Sequence, residues 1–206
     1  MKLTKYEQSG FVLETDAGFR LAFDIGAYTP VEKLEGVAVD AMLVSHLHGD
    51  HFSPEQIKAL SAKKLYLNQE CVDLWGEGGN GIEVERVKVG DSVKIGEISV
   101  ELFDVNHGTN ISMRPKENFG FLMKADGRTV YFAGDMFYES GMDVSSLEVD
   151  FALIPVGIFY TFGPEEAFDF AKKFKGIGKI IPMHYEKTPG TKSKFMELAK
   201  GTFELE

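Results

Sequence analysis

Apolar and polar residues alternate in short runs along most of this chain, and helical spacing takes over in only a few places. After an alternating start at Leu3 and Lys5, residues 11–15 (FVLET) and 19–24 (FRLAFD) flank Asp16-Ala17-Gly18, which predicts a hairpin closed by Asp24-Ile25-Gly26. Residues 41–45 (AMLVS) read as a short buried strand, with Gly49 breaking the chain just beyond it. Residues 64–68 form the next strand. Residues 82–105 are short alternating runs parted at Gly90-Asp91 and Gly96-Glu97, the pattern of a β-meander. Residues 118–125 and 129–133 make a second hairpin around Asp126-Gly127, ending at Gly134-Asp135, and residues 151–156 and 179–183 are buried strands.

Helical signals are fewer. Ser53-Pro54-Glu55-Gln56 combines an N-cap serine, proline at the first helical position and Gln at N3, predicting a capping-box helix to about Ala62. Pro164-Glu165-Glu166 opens another, with Ala167, Phe168, Ala171 and Phe174 at helical spacing and Gly176 as its stop. Residues 193–200 predict a closing helix before Gly201. Residues 75–81 (WGEGGNG) lack the flanking pattern of a phosphate-binding loop and read as a connector.

At 206 residues, 44% hydrophobic and 26% charged, the chain is long enough to bury a core as one domain spanning 1–206. Its lone cysteine, Cys71, rules out an internal disulfide and reads as a packed residue rather than a nucleophile. With no secretory leader pattern, this suits a reducing, cytoplasmic setting. No apolar run approaches the roughly 20 residues that span a bilayer, so no membrane role is expected. A net charge of −10 argues against general nucleic-acid binding, which needs clustered Lys and Arg. It says nothing of oligomeric state.

Chemistry concentrates in Ser45-His46-Leu47-His48-Gly49-Asp50-His51, where four potential metal ligands fall within six residues at the end of a strand. On an extended backbone His46 and His48 face one way, and the turn at Gly49 redirects Asp50 and His51, so one segment can feed two neighbouring metal positions. Any single histidine is ordinarily a core or surface residue. This cluster resembles the His-x-His-x-Asp-His signature of the metallo-β-lactamase superfamily of metal-dependent hydrolases. The resemblance implies three more ligands downstream: His107 (DVNHGT), Asp135 (YFAGD) and His184 (IPMHY), which accounts for all five histidines of the chain. It also implies an α/β (α+β) fold, the four-layer αββα sandwich in which two sheets pack face to face with helices outside. The segment 154–167 (IPVGIFYTFGPEEA) and IPMHY narrow it to the branch that includes ascorbate-6-phosphate lactonase-like proteins.

By that resemblance His46, His48 and His107 form one metal site and Asp50, His51 and His184 the other, with Asp135 bridging. Asp50 is also the implied catalytic residue, orienting or deprotonating the bridging water. The cofactors expected are two divalent ions, Zn²⁺ first, with Mn²⁺ or Fe²⁺ as alternatives, because imidazole and carboxylate donors suit all three. A dinuclear-metal-bound hydroxide would then cleave a small ester, a phosphate ester or lactone. Cys71 lies in the wrong part of the chain to serve as the cysteine ligand of several β-lactamases, which speaks against β-lactam hydrolysis. Arg114 and Tyr160 are candidate contacts to a small, anionic substrate, and Asp24 is a candidate partner for a ligand histidine. Two departures stand out: Glu7-Gln8-Ser9 where the family often carries Gly-His-Ser, and Gly157-Ile158 where it often has Gly-Gly. The rival readings are a metal- or ligand-binding regulatory domain without catalysis, and a nuclease of the same superfamily.

Overall fold

Two six-stranded sheets, built in sequence order and flanked by helices, make up the computed structural model, which describes residues 1–76, 81–108, 114–137 and 141–206. The first sheet runs β1 (Lys2–Lys5), β2 (Phe11–Glu14), β3 (Arg20–Phe23), β4 (Ala41–Leu43), β5 (Lys64–Leu67) and β6 (Glu83–Arg86). The second comprises β7 (Ser92–Ile95), β8 (Ile98–Asp104), β9 (Phe119–Ala125), β10 (Arg128–Phe132), β11 (Glu148–Pro155) and β12 (Gly176–Met183). Each sheet opens as an antiparallel meander and finishes with parallel strands, from β3 onward in the first and β10 onward in the second. Parallel neighbours need crossovers. In the first sheet these include a 3₁₀ turn at Val31–Leu34, then α1 (Pro54–Ala59) and α2 (Gln69–Trp75); α3 (Pro164–Ala171) links β11 to β12, and α4 (Thr191–Ala199) follows.

Alternation along the strands of the first sheet sorts the core into two compartments. Phe11, Leu13, Leu21, Phe23, Ala41, Leu43 and Tyr66 face the second sheet, while Val12, Ala22, Met42, Leu65 and Leu67 face α1 and α2. Between the sheets, Phe23 and Phe132 meet edge-on at 5.2 Å and Phe121 stacks on Phe132 at 5.2 Å. Burying each of these rings contributes about 1.5–3 kcal/mol. The arrangement is the αββα sandwich expected from the resemblance. Among the described residues no helix is long and apolar enough to cross a membrane.

Several local expectations need correction. Residues 82–105 are not one meander: β6 pairs parallel to β5 in the first sheet, and only β7 and β8 belong to the second. Helix α3 stops at Ala171 rather than Gly176, because Lys173 and Phe174 switch to tighter i→i−3 bonds that bring Phe174 edge-on to Tyr131. Gly176 instead begins β12, opposite Glu148. Helix α1 starts at Pro54 as expected, but Ser53 makes no side-chain cap; the Gln56 amide donates instead to the Thr29 carbonyl at 3.1 Å. Cys71 lies in α2, an unforeseen helix capped by Asn68, whose Oδ1 accepts from the Cys71 N–H at 2.8 Å. Most of the expected connector, residues 77–80, lies outside the described residues.

Candidate metal centre

Strand direction explains why distant ligands converge. Strands β3 and β4 run parallel, as do β8, β10 and β12, so the residues just past their C-terminal ends share one edge of the sandwich. Asp24 follows β3, His46 follows β4, His107 follows β8, Asp135 follows β10 and His184 follows β12. Two glycines let the loops pack closely. A Cβ on Gly26 would lie 2.1 Å from the Asp50 carbonyl carbon, and one on Gly157 would lie 1.8 Å from the His184 carbonyl oxygen.

The seven sequence-predicted residues fall into two groups of donor atoms that could each hold a metal ion, His46, His48 and His107 in one and Asp50, His51, Asp135 and His184 in the other. In the first, His46 Nε2 and His48 Nδ1 are 3.0 Å apart. In the second, His184 Nε2 is 3.4 Å from Asp50 Oδ2, and His51 Nε2 is 3.6 Å from the same oxygen. Asp135 Oδ2 lies between the groups, 3.2 Å from His107 Nε2 and 3.1 and 3.2 Å from His51 and His184 Nε2. Two donors about 2.1 Å from a common ion at a tetrahedral angle stand about 3.4 Å apart, so these spacings suit shared metal ions. His51 Nε2, His107 Nε2 and Asp135 Oδ1 are buried with no hydrogen-bond partner among the described residues, as metal-facing atoms would be.

Asp24 organises this cluster from behind. Its Oδ2 accepts from His51 Nδ1–H at 2.8 Å and from the Ser45 hydroxyl at 2.5 Å, while Oδ1 accepts from the Ser45 N–H at 2.7 Å. Ser45 Oγ accepts in turn from His46 Nδ1–H at 2.9 Å. Both imidazoles are thereby oriented with Nε2 toward the cluster, which raises their quality as ligands. Gln8 sits at the other flank, its Nε2 3.4 Å from His184 Nε2.

The electrostatics are those of a site prepared for cations. Burial alone would raise the Asp50 carboxyl, but the His51 and His184 imidazoles hold it down at about 2. Asp135 is likewise held well below the ordinary range by His184 and His51, against the opposing effect of burial. Burial would lower His184, yet Asp135 and Asp50 lift it to about 9; against the same opposition those carboxylates and Asp24 raise His51. His46 is pushed well below its ordinary value by burial and by the charge on His51. Burial also pushes the Cys71 thiol up, which agrees with a packing role.

These shifts give a stability prediction for metal-free protein. A histidine raised on folding stabilises fully below its unfolded value, 6.5, and that contribution is lost as pH rises through the folded value, about 9 for His184. His51 acts in the same direction. His46, neutral when folded, opposes them only near pH 6.5, where its unfolded form still binds part of a proton. Chelator-treated protein is therefore expected to melt roughly 5 °C lower at pH 9 than at pH 6.5. A melting temperature that rises across that window would contradict the assignment of charges.

The two candidate substrate contacts are both at the surface. Arg114 is exposed, next to residues 109–113, which are outside the described residues, and Tyr160 is exposed between Phe159 and Thr161. What sequence reasoning missed is a groove of about 630 Å³ walled by Phe137, Ile158, Phe159 and Phe162, with Thr161 and Lys194 among its polar members. Phe137 is two residues past Asp135 and packs on Gly108, beside His107; Ile158 follows Gly157, which packs on His184. The IFY run at 158–160 was the available signal, since three consecutive large apolar residues between glycines have no strand or helix to bury them.

An αββα sandwich with buried imidazoles and carboxylates gathered at the C-terminal edge of its strands defines a class of metal-ligating α/β proteins. The chain belongs to the metallo-β-lactamase superfamily: the profile of the Beta-lactamase superfamily domain matches residues 2–184. It is 30% identical over 199 residues to a UPF0173 metal-dependent hydrolase of Pelotomaculum thermopropionicum, covering 92% of this chain and 86% of the relative. Among solved structures it is similar to a candidate metal-dependent hydrolase of Parabacteroides distasonis, with TM-score 0.80, 22% identity, and coverage of 99% of this chain and 90% of that one. It is also similar to Igni18, a metallo hydrolase of Ignicoccus hospitalis, with TM-score 0.76, 22% identity, and coverage of 99% and 93%. These relatives group the chain with the metal-dependent hydrolases of the superfamily.

Proposed function

We propose that residues 1–206 form one hydrolase domain that holds two divalent ions, Zn²⁺ foremost and Mn²⁺ or Fe²⁺ as alternatives, and cleaves a small ester, a phosphate ester or lactone. The observation that carries this reading is the position of Asp135 Oδ2, within 3.2 Å of imidazole nitrogens from both donor groups. His46, His48 and His107 would hold one ion; Asp50, His51 and His184 the other; Asp135 would bridge them. Such a pair, when bound, polarises a substrate oxygen and makes water a nucleophile near neutral pH. Water adds to the carbonyl carbon or phosphorus, the ester C–O or P–O bond breaks, and the leaving oxygen takes a proton from that water.

The residues divide the remaining work. The Asp50 side chain is 18% exposed against 2% for Asp135, which supports Asp50 as the carboxylate that accepts a hydrogen bond from an incoming water and orients it. Asp24 and Ser45 keep His46 and His51 from turning. The groove has the volume of a small-molecule site, and because Phe137 and Ile158 in its wall follow Asp135 and Gly157 closely in the chain, it supports a substrate with an apolar substituent. Arg114 and Tyr160 are proposed as outer contacts to an anionic portion of the substrate.

Elemental analysis after full reconstitution is expected to give two ions per chain. With metal restored, a phosphodiester or lactone model substrate is expected to turn over and a chelator to stop it. A plateau at zero or one ion would remove the paired-site reading. Turnover of a cephalosporin alone would overturn the ester assignment.

A further inference from the structure

Gln8 lies in the connection between β1 and β2, a tight turn in which Tyr6 N–H donates to the Gly10 carbonyl at 2.7 Å and Gly10 N–H to the Glu7 carbonyl at 3.0 Å. Because β1 is antiparallel to β2 and β2 to β3, β1 runs parallel to β3 and its C-terminal end reaches the same edge as Asp24. Two left-handed residues meet there, Gln8 at φ 53° and His184 at φ 57°, and the His184 N–H donates to the Gln8 carbonyl at 3.1 Å. A side chain with a Cβ is disfavoured in that region, so both positions depend on the surrounding turn and strand to hold them.

The strained turn delivers an amide whose hydrogen-bonding capacity the protein leaves largely unused. Gln8 is 2% exposed, and its Oε1 is buried with no partner among the described residues. Its Nε2 is 3.4 Å from His184 Nε2, the nitrogen that also lies 3.4 Å from Asp50 Oδ2 and 3.2 Å from Asp135 Oδ2. A primary amide offers two donors and a carbonyl acceptor. His184 Nε2 cannot accept from Gln8 while it carries a proton toward Asp50 and Asp135, nor once it gives its lone pair to an ion. The amide hydrogens then face the ligand cluster without that acceptor. Leaving a buried polar group unpaired is costly, and a ligand oxygen placed there would recover the loss.

We propose that Gln8 is a substrate-contacting residue: its amide N–H donates to the substrate oxygen that gains negative charge as the ester is cleaved, a neutral oxyanion donor beside the metal ions. This rests on the hydrolase reading above. It suits both a lactone and a phosphate ester, because each builds charge on an oxygen bonded to the attacked atom. A neutral donor adds no titration of its own, so the shape of the pH profile is not set by Gln8.

The test compares the full-length, metal-loaded parent with Gln8→Met, a near-isostere without hydrogen-bonding capacity, and Gln8→His, which restores an N–H donor. Metal content, circular dichroism, kcat and KM on the ester that turns over best, and affinity for inorganic phosphate are measured for each. Gln8→Met is expected to keep two ions and its fold, to lose about 100-fold in kcat with little change in KM, and to keep its pH profile. It is also expected to bind phosphate at least roughly tenfold more weakly. Gln8→His is expected to recover at least about a tenth of parental activity, and it carries the comparison if Gln8→Met does not fold. Parental kcat and phosphate affinity in Gln8→Met would overturn the proposal, as would loss of an ion, which would make Gln8 a metal-retaining residue. If the parent cleaves none of the esters, the hydrolase reading fails while the phosphate comparison still decides the role of Gln8. Undetectable phosphate binding to the metal-loaded parent would also overturn the proposal.

Discussion

Asp135→Asn is expected to fold, retain one ion tightly, bind the second at least roughly tenfold more weakly (about 1.4 kcal/mol), and lose most activity. The carboxylate oxygen Oδ2 lies within 3.2 Å of nitrogens of both donor groups, which is the placement a linking ligand needs. Two dications carry four positive charges, offset at the centre by the carboxylates of Asp50 and Asp135. Asparagine keeps the shape but removes one of those negative charges and one good bridging oxygen. Repulsion between the ions is then less offset. The group formed by His46, His48 and His107 has three imidazoles of its own and should suffer less. Calorimetric metal titration beside circular dichroism checks this, and two tight ions in a folded variant would refute the bridging assignment.

Gly26→Ala is expected to destabilise the protein by about 3 kcal/mol or more and to lower metal retention, although residue 26 ligates nothing. Its Cβ would fall 2.1 Å from the Asp50 carbonyl carbon, 2.3 Å from the Asp50 oxygen and 2.4 Å from the His51 nitrogen. These are backbone atoms that no rotamer change can move aside. The segment cannot easily yield, since Ala27 N–H donates to the Gly49 carbonyl at 2.7 Å and His51 is tied to Asp24. A loss of that size corresponds to roughly 6–12 °C in Tm for a chain of this length. Gly157→Ala should behave alike, with its Cβ 1.8 Å from the His184 carbonyl oxygen. Denaturant melts of both variants with bound metal quantified would test the argument; a Gly26→Ala protein within about 1 kcal/mol of the parent would show that the loops are not pinned together.

Much of this was legible in the chain itself, for a definite reason. A strand declares itself by a period of two and by the glycine or aspartate that stops it, and the residues of interest sit directly at those stops: His46 after residues 41–45, Asp135 after Gly134, His184 after residues 179–183. The helix starts at Pro54 and Pro164 were equally local signals, because proline's fixed φ and missing N–H suit the first helical turn. Alternation within β2, β3 and β4 likewise dictates which residues share a face, since successive side chains must point to opposite sides of a sheet.

What local pattern cannot carry is pairing between segments far apart in the chain. Nothing near residues 82–105 says that β6 joins the first sheet and β7 the second, because an alternating run fits either edge equally well. The end of α3 moved from Gly176 to Ala171 because Phe174 has a partner in Tyr131, 43 residues back along the chain. The approach of Gly26 to Asp50 and of Gly157 to His184, the groove between Phe137 and Ile158, and the buried amide of Gln8 beside His184 exist only once the two sheets have packed. The sequence by itself determined which residues stand at strand ends and what donors they offer, since those are properties of short stretches. Which of them come together was implied by resemblance and not by any local pattern; the tertiary structure alone decided their spacing and what surrounds them, because those distances are set by strand direction and by packing across the whole sandwich.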